Sequence, residues 1–188
     1  QEGRDLAIKL AGECLAEVPV LVLGSGSSCA HGIRGMQPLS EYLIDRIVPR
    51  PEDGDSWRDF KGELARHKDL EEALQTVVVS DQLLRQIVVH TRQMVIDDER
   101  AIYGRLVTGE AELVLSRLFR YLFQTTHRIL DVVTTNYDRL IEYAACHARF
   151  RCNTGFSAGT IRHFHCQRSD SSHYARAANF RCVDIWKV

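Results

Sequence analysis

The sequence predicts one α/β domain over residues 1–188, built on a parallel sheet with a helical insertion. Two short apolar runs, each followed by a polar turn and then by helical spacing, are the first observation behind this prediction. The second is the region between them, about 52–128, whose apolar residues recur at helical spacing. The composition agrees, because 188 residues with a net charge of −1 and 45% hydrophobic content are ordinary for a single globular domain.

The amino-terminal third alternates between helix and strand. Apolar residues at helical spacing predict a first helix over about 3–17, which Pro19 ends. The run 18–23 predicts a strand buried on both faces of the sheet, and Gly24-Ser25-Gly26 ends it. A second helix is predicted from Pro38 to about Val48, since proline is favourable in a first helical turn.

The insertion carries three apolar stripes, which we interpret as core faces of helices. The stripes are Leu70, Leu74, Val77 and Val78; Leu83, Leu84, Ile87, Val88, Met94 and Val95; and Leu115, Leu118, Phe119, Leu122 and Phe123. The run 129–133 then predicts a second strand, and Leu140 resumes helical spacing. Residues 150–180 are polar and weakly periodic, which favours a loop or lid, and 183–188 predict a third strand.

Several classes of protein are disfavoured by composition. No apolar run is long enough for a membrane span, and the first ten residues lack a signal-peptide pattern, so we expect a cytoplasmic protein without membrane contact. The balanced charge argues against direct nucleic acid binding. The six cysteines form no C-x-x-C pair, so a zinc ribbon is not expected and no metal cofactor is predicted.

The first candidate motif is Gly24-Ser25-Gly26-Ser27-Ser28. Small residues after a buried strand let the backbone approach a pyrophosphate closely. A dinucleotide fingerprint would need a third glycine where this chain has Cys29, and no Gly-Lys-Ser/Thr follows for a P-loop. The motif alone therefore indicates a ligand loop without naming its chemistry.

The second candidate motif is Thr134-Thr135-Asn136-Tyr137-Asp138, at the end of the second strand. Ligands of open α/β sheets bind at this edge, where the amide of Asn136 and the carboxylate of Asp138 could both reach them. The alternative is structural, because Asn or Asp before a helix commonly accepts backbone N–H groups as a cap. Spacing alone leaves both readings open.

In combination, the two motifs resemble the sirtuin family. The residues shared with its glycine-rich opening are Gly24, Gly26, Ser28, Gly32 and Ile33, and those shared with its T-Q-N-I-D motif are Thr134, Asn136 and Asp138. The form T-T-N-Y-D followed by Leu140-Ile141-Glu142 is similar to the sirtuin-like NAD hydrolases of bacterial anti-phage defence. The resemblance covers about residues 18–188 and implies a Rossmann-like fold.

The resemblance implies a role for each matching residue. Gly24, Ser25, Gly26 and Ser28 would cradle the phosphates of NAD+, the substrate. Asn136 would be catalytic beside the nicotinamide ribose, and Asp138 would contact the nicotinamide amide. Such a site would stabilise an oxocarbenium-like ribose while the glycosidic bond breaks.

The chain departs from the family in three places. Arg34 stands where sirtuins have the proline of G-I-P, and the paired cysteines of the zinc ribbon are absent, which disfavours protein deacylation. The family's catalytic histidine follows a strand like 183–188, so we expect it directly after Val188 in a chain truncated at that point. The possible substitutes His31, His163 and His165 are more simply surface or packing residues.

The expected function is thus hydrolysis of NAD+ to nicotinamide and ADP-ribose, depleting NAD+ during abortive infection. The alternative is a noncatalytic nucleotide-sensing or assembly module of a defence complex. By the same resemblance, we expect a homo-oligomer, or a complex with a helicase-like ATPase of the HerA type or with a phage-sensing partner.

Overall fold

The computed structural model describes residues 2–16, 19–67, 70–124, 127–156 and 180–188. The chain divides into two compact units. One, here called the sheet unit, comprises 1–27 and 105–188; the other, the helical unit, comprises 28–104. The predicted insertion at about 52–128 overlaps the helical unit over 52–104. None of the described helices is long and apolar enough to cross a membrane.

The sheet unit contains a parallel sheet, as predicted. Its described strands are β1 (Leu21–Leu23), β2 (Ile129–Thr134), β3 (Arg151–Asn153) and β4 (Cys182–Lys187), in the order β1-β2-β4-β3. Every pairing is parallel, which confirms the α/β class and is compatible with a Rossmann-like architecture.

Strand β3 was not predicted. We expected a loop over 150–180, which is wrong for Arg151–Asn153, because these residues pair with β4 through Cys182, Val183 and Asp184. A three-residue strand is too short to show apolar alternation, so only its pairing reveals it. The rest of the predicted lid, 157–179, lies outside the described residues.

The burial predicted for β1 is also wrong. We expected both faces of the run 18–23 to be covered, yet Val22 is 78% exposed. β1 lies at one edge of the sheet, and its pairing with β2 begins only at Leu21. Pro19 lacks the N–H that a paired strand would donate, which fits the late start of the strand.

Among the described residues, three longer helices belong to the sheet unit. They are α1 (Glu2–Ala16), α7 (Val114–Leu122) and α8 (Leu140–His147), close to the predicted positions. α8 packs on α7 and on β3 and β4, and the buried Ser116 hydroxyl donates to the Ala144 carbonyl at 3.0 Å. The predicted stripe of α7 is confirmed as a core face, since Leu115, Phe119 and Leu122 are buried.

The helical unit is built from most of the helices that lie between β1 and α7 in the sequence. They are α3 (Met36–Arg46), α4 (Gly54–His67), α5 (Leu70–Thr76) and most of α6 (Asp81–Val107), with a 3-10 turn at Pro51–Asp53. A four-residue helix, α2 (Gly26–Cys29), spans the first division between the units.

An apolar core holds the helical unit together. Its buried members are Leu39, Leu43, Ile47, Trp57, Phe60, Leu64, Leu70, Ala73, Leu83, Ile87 and Met94. The stripes of α5 and α6 thus supply core residues as predicted, although Val78, Leu84 and Val88 are exposed. Val78 follows the end of α5, and Val88 lies on the solvent side of α6, so neither position faces the core.

Candidate functional site

The two predicted motifs follow neighbouring strands of the sheet unit. β1 and β2 pair in parallel, and Leu23 is in register with Thr134 at the last position of each strand. Because parallel strands end at the same edge, the loop after β1 and the turn after β2 leave the sheet side by side. We call these segments the glycine loop (Gly24–Ser27) and the asparagine turn (Thr135–Asp138).

Thr134 links both segments to the sheet. Its hydroxyl donates to the carbonyl of Leu23 at 2.8 Å and accepts the N–H of Asn136 at 3.0 Å. Thr134 is buried, so losing the hydroxyl would leave polar groups without partners away from water. This side chain therefore sets where the asparagine turn begins.

Asn136 reaches from its turn to the glycine loop. Its Nδ2 donates to the carbonyl of Gly24 at 3.1 Å and lies 3.5 Å from Oγ of Ser27. These contacts span 112 and 109 positions in the sequence, so only folding creates them. Asn136 is 7% exposed. In this conformation its amide is hydrogen-bonded to the glycine loop and presents little surface to a ligand.

The carbonyl of Gly24 is the point where the segments meet. It accepts the N–H of Ser27 at 3.1 Å and the Ser27 hydroxyl at 2.7 Å, in addition to the amide of Asn136. A carbonyl oxygen has two lone pairs, so three donors leave it fully satisfied. Ser27 was not among the predicted site residues, because one serine in a serine-rich loop carries no signal of its own.

The glycines of the loop are not required by the fold. Neither Gly24 nor Gly26 has a positive φ, and no atom of the described residues lies within 4 Å of the position that a Cβ would take. Both glycines and Ser25 are exposed. The loop therefore presents bare backbone to open space, which is what close approach by a ligand requires.

Asp138 is engaged in local structure. This buried side chain accepts the N–H of Leu140, the first residue of α8, on Oδ1 at 3.0 Å. Oδ1 of Asp138 therefore acts as a helix cap, which is the structural alternative that the sequence left open. Contact of Asp138 with nicotinamide stays a prediction.

Lys187 and Glu142 were not predicted as site residues. Nζ of Lys187, at the end of β4, donates to the backbone carbonyl of Asp138 and lies 3.2 Å from Oε1 of Glu142 in α8. A single lysine at the end of an apolar strand was the available signal. Its importance depends on the register that aligns Lys187 with Thr134.

The remaining part of the glycine-rich motif belongs to the helical unit. Ser28 is buried, and its carbonyl accepts the N–H groups of His31 at 3.0 Å and Ile33 at 3.3 Å. Gly32 has a φ of 108°, which side-chain-bearing residues rarely adopt, so the backbone itself requires glycine there.

Arg34, which follows the glycine-rich motif, is held within the helical unit. Its Nε lies 3.0 Å and a terminal nitrogen 2.9 Å from Oδ1 of Asp98, and its backbone N–H donates to Oδ2 at 2.9 Å. The side chain of Asp98 is 11% exposed. The charge of Arg34 is therefore neutralised by Asp98 in this conformation.

The four cysteines whose side chains the structure describes behave as packing or surface residues. Cys29, Cys146, Cys152 and Cys182 are free thiols. Burial raises the pKa of Cys182 to about 12, and the charge and hydrogen bond of Asp184 add to the effect, so this thiol stays protonated at neutral pH.

Within the described ranges, no three histidine, cysteine or acidic side chains cluster as metal ligands would. His163, His165 and Cys166 lie outside those ranges, as does the side chain of Cys14.

Comparison with models of known protein families and with curated proteins finds no match.

Proposed function

We propose that this chain is a sirtuin-like, Rossmann-like domain that binds NAD+ and hydrolyses it to nicotinamide and ADP-ribose. The observation that carries the proposal is the hydrogen bond between the amide of Asn136 and the carbonyl of Gly24. The sirtuin-like motifs thus lie together at the carboxyl edge of the sheet, where α/β proteins bind ligands. Depletion of NAD+ during phage infection would be the biological outcome.

In this proposal the glycine loop binds the phosphates of NAD+ and the asparagine turn contacts the ribose. The exposed backbone of Gly24, Ser25 and Gly26 would lie against the diphosphate. Asn136 would turn its amide to the nicotinamide ribose. When Asn136 leaves the carbonyl of Gly24, that carbonyl is still satisfied, because the N–H and hydroxyl of Ser27 still donate to it.

The test measures binding and cleavage separately. NAD+ is titrated calorimetrically into the full-length protein and, in parallel, incubated with it and chromatographed for nicotinamide and ADP-ribose. Asn136→Ala is compared with Tyr137→Ala, since Tyr137 is an exposed neighbour in the same turn. We expect the first substitution to abolish product formation and the second to leave it intact.

A second candidate function is a noncatalytic nucleotide-sensing or assembly module. It is favoured by one observation, namely that Asn136 is buried and its amide already engaged by the glycine loop. Binding without products would select this function. Failure to bind NAD+ would remove the hydrolase and any NAD+-sensing role, and would leave only an assembly module or a sensor of another nucleotide.

The proposed setting is cytoplasmic, in a homo-oligomer or in a complex with a helicase-like ATPase or a phage-sensing partner. Light scattering after size-exclusion chromatography tests the homo-oligomer directly. A mass equal to one chain at all concentrations would contradict it.

A further inference from the structure

Lys187 lies in the row of residues that ends the sheet. Leu23, Thr134 and Lys187 are mutually in register across β1, β2 and β4. The N–H of Val188 donates to the carbonyl of Thr134 at 3.0 Å, so pairing continues past Lys187. The backbone of Lys187 is therefore fixed relative to the start of the asparagine turn.

The side chain of Lys187 is held by two different partners. Nζ donates to the backbone carbonyl of Asp138, the last residue of the asparagine turn, and pairs with Oε1 of Glu142 at 3.2 Å. The exposed fraction of the side chain is 34% for Lys187 and 12% for Glu142. Glu142 is thus largely withdrawn from water, and its Oε2 has no hydrogen-bond partner among the described residues.

These contacts hold the asparagine turn at its far end. Thr134 bonds the N–H of Asn136 at the near end, while Lys187 and the N–H of Leu140 bond Asp138 at the other. Asn136 lies between these anchors. Displacing a catalytic group by a fraction of an ångström is costly, so restraint at both ends would affect activity.

We propose that Lys187 is a positioning residue that fixes the asparagine turn, and with it the amide of Asn136, while Glu142 holds the ammonium group in place. The consequence for NAD+ rests on the proposed function. The restraint of the turn is a property of the chain alone and can be measured without a ligand.

A purely structural ion pair is the competing explanation, and the chain offers a matched control. Arg120 also joins a carboxylate to a backbone carbonyl, since it lies 2.6 Å from Oε1 of Glu112 and donates to the carbonyl of His147 at 3.2 Å. His147 is the last residue of α8, at the opposite end from the asparagine turn. Arg120→Met therefore removes a similar set of contacts elsewhere in the sheet unit.

The functional arm compares NAD+ affinity and turnover in Lys187→Met, Lys187→Arg and Arg120→Met. We expect Lys187→Met to lower affinity or kcat by about tenfold or more. Lys187→Arg should recover part of the loss, because it keeps the positive charge and N–H donors at this position. Arg120→Met should match the unmodified protein. Equal losses in Lys187→Met and Arg120→Met would overturn the proposal.

A double variant separates positioning from stability. Lys187→Met leaves Glu142 as a poorly hydrated charge without its cation, whereas Lys187→Met with Glu142→Gln removes that charge. We expect the double variant to regain thermal stability but not NAD+ affinity, because the carbonyl of Asp138 still lacks its donor. Recovery of both together would assign Lys187 a structural role only.

The ligand-independent arm follows the side-chain amide of Asn136 by nitrogen-15 NMR. We expect its resonances to shift in Lys187→Met and in the double variant, and to stay unchanged in Arg120→Met. If the unmodified protein binds no NAD+, the proposed function fails while this arm still decides the positioning role. Unmoved Asn136 resonances in Lys187→Met would refute that role regardless of NAD+.

Discussion

The helical unit and the carboxyl edge of the sheet unit are stabilised by different interactions. The helical unit buries large apolar side chains such as Phe60, Leu43 and Met94. The sheet edge depends on hydrogen bonds of Thr134 and Asn136 to partners more than 100 positions away. Apolar burial is non-directional and tolerates sliding, whereas these hydrogen bonds fix particular atoms. The comparison predicts that substitutions in the helical core and at the sheet edge affect different parts of the structure.

The largest expected effect on stability lies in the helical core. Phe60 is fully buried and its ring stacks on Trp57 with centroids 5.7 Å apart. Phe60→Ala should lower the free energy of unfolding by about 3–5 kcal/mol. Urea denaturation followed by circular dichroism measures this, with the exposed Val88→Ala as the control, expected to change it by less than about 0.5 kcal/mol. Similar losses in both variants would contradict the assigned core.

A smaller loss is expected at the sheet edge. Thr134→Val keeps the shape of the side chain but deprives the Leu23 carbonyl and the Asn136 N–H of their partner. The cost should be about 1–3 kcal/mol in the same denaturation assay, because these groups are buried. The exposed neighbour Thr135→Val should be nearly neutral. A neutral Thr134→Val would show that the hydroxyl does not anchor the turn.

The helical unit also contains a polar contact that makes its stability depend on pH. A hydrogen bond from Ser80 lowers the pKa of Asp53 below its ordinary value of 3.8, and Arg50, with Nε 3.1 Å from Oδ2, acts in the same direction, while burial opposes both. A lowered pKa in the folded state stabilises the protein above the unfolded pKa, and this stability is lost as the pH falls through the folded pKa.

The urea midpoint of the unmodified protein should therefore exceed that of Asp53→Asn at pH 6, and the difference should shrink as the pH falls below 4. Asp55→Asn is the control, since the side chain of Asp55 is 89% exposed. A gap that stays constant between pH 6 and pH 3 would rule out this role for Asp53.

The smallest effect on stability, paired with a clear effect on binding, is expected at Gly26. Gly26 begins α2 with an ordinary φ and open space around it, so Gly26→Ala should cost nothing or stabilise by up to about 1 kcal/mol. Its NAD+ affinity should fall, because a methyl group would occupy the exposed backbone. Gly32→Ala is the contrast, destabilising by about 1–3 kcal/mol through its φ of 108°. Unchanged NAD+ affinity in Gly26→Ala would argue against the cradle.

Periodicity predicted the helices that keep one face against the core along their length. The stripe containing Phe119 and the stripe containing Ile87 supply buried residues, because a helix repeats its neighbours every turn. Short strands contain too few residues for apolar periodicity to reveal them or their burial. The exposure of Val22 depends on what covers its face of the sheet, and β3 is defined by its pairing with β4. Neither property is encoded locally.

The candidate site was predicted as far as strand ends could locate it. Gly24 and Asn136 were selected because each follows an apolar run, and the structure brings them into hydrogen-bonding contact. Ser27 and Lys187 were missed, since their contacts depend on loop geometry and on the register of β4 with β2. One residue of slippage in that register would turn Lys187 to the other face of the sheet.

The sequence by itself determined most of the longer helices and three of the four described strands, and it marked two polar turns at strand ends. These properties follow from residue type and short-range periodicity, which act within a few positions of the chain. Only the tertiary structure decided three hydrogen bonds. The amide of Asn136 donates to Gly24, Asp138 accepts from the first residue of α8, and Lys187 donates to the asparagine turn. These contacts join distant residues, and their geometry follows from strand order and register, which depend on the whole sheet.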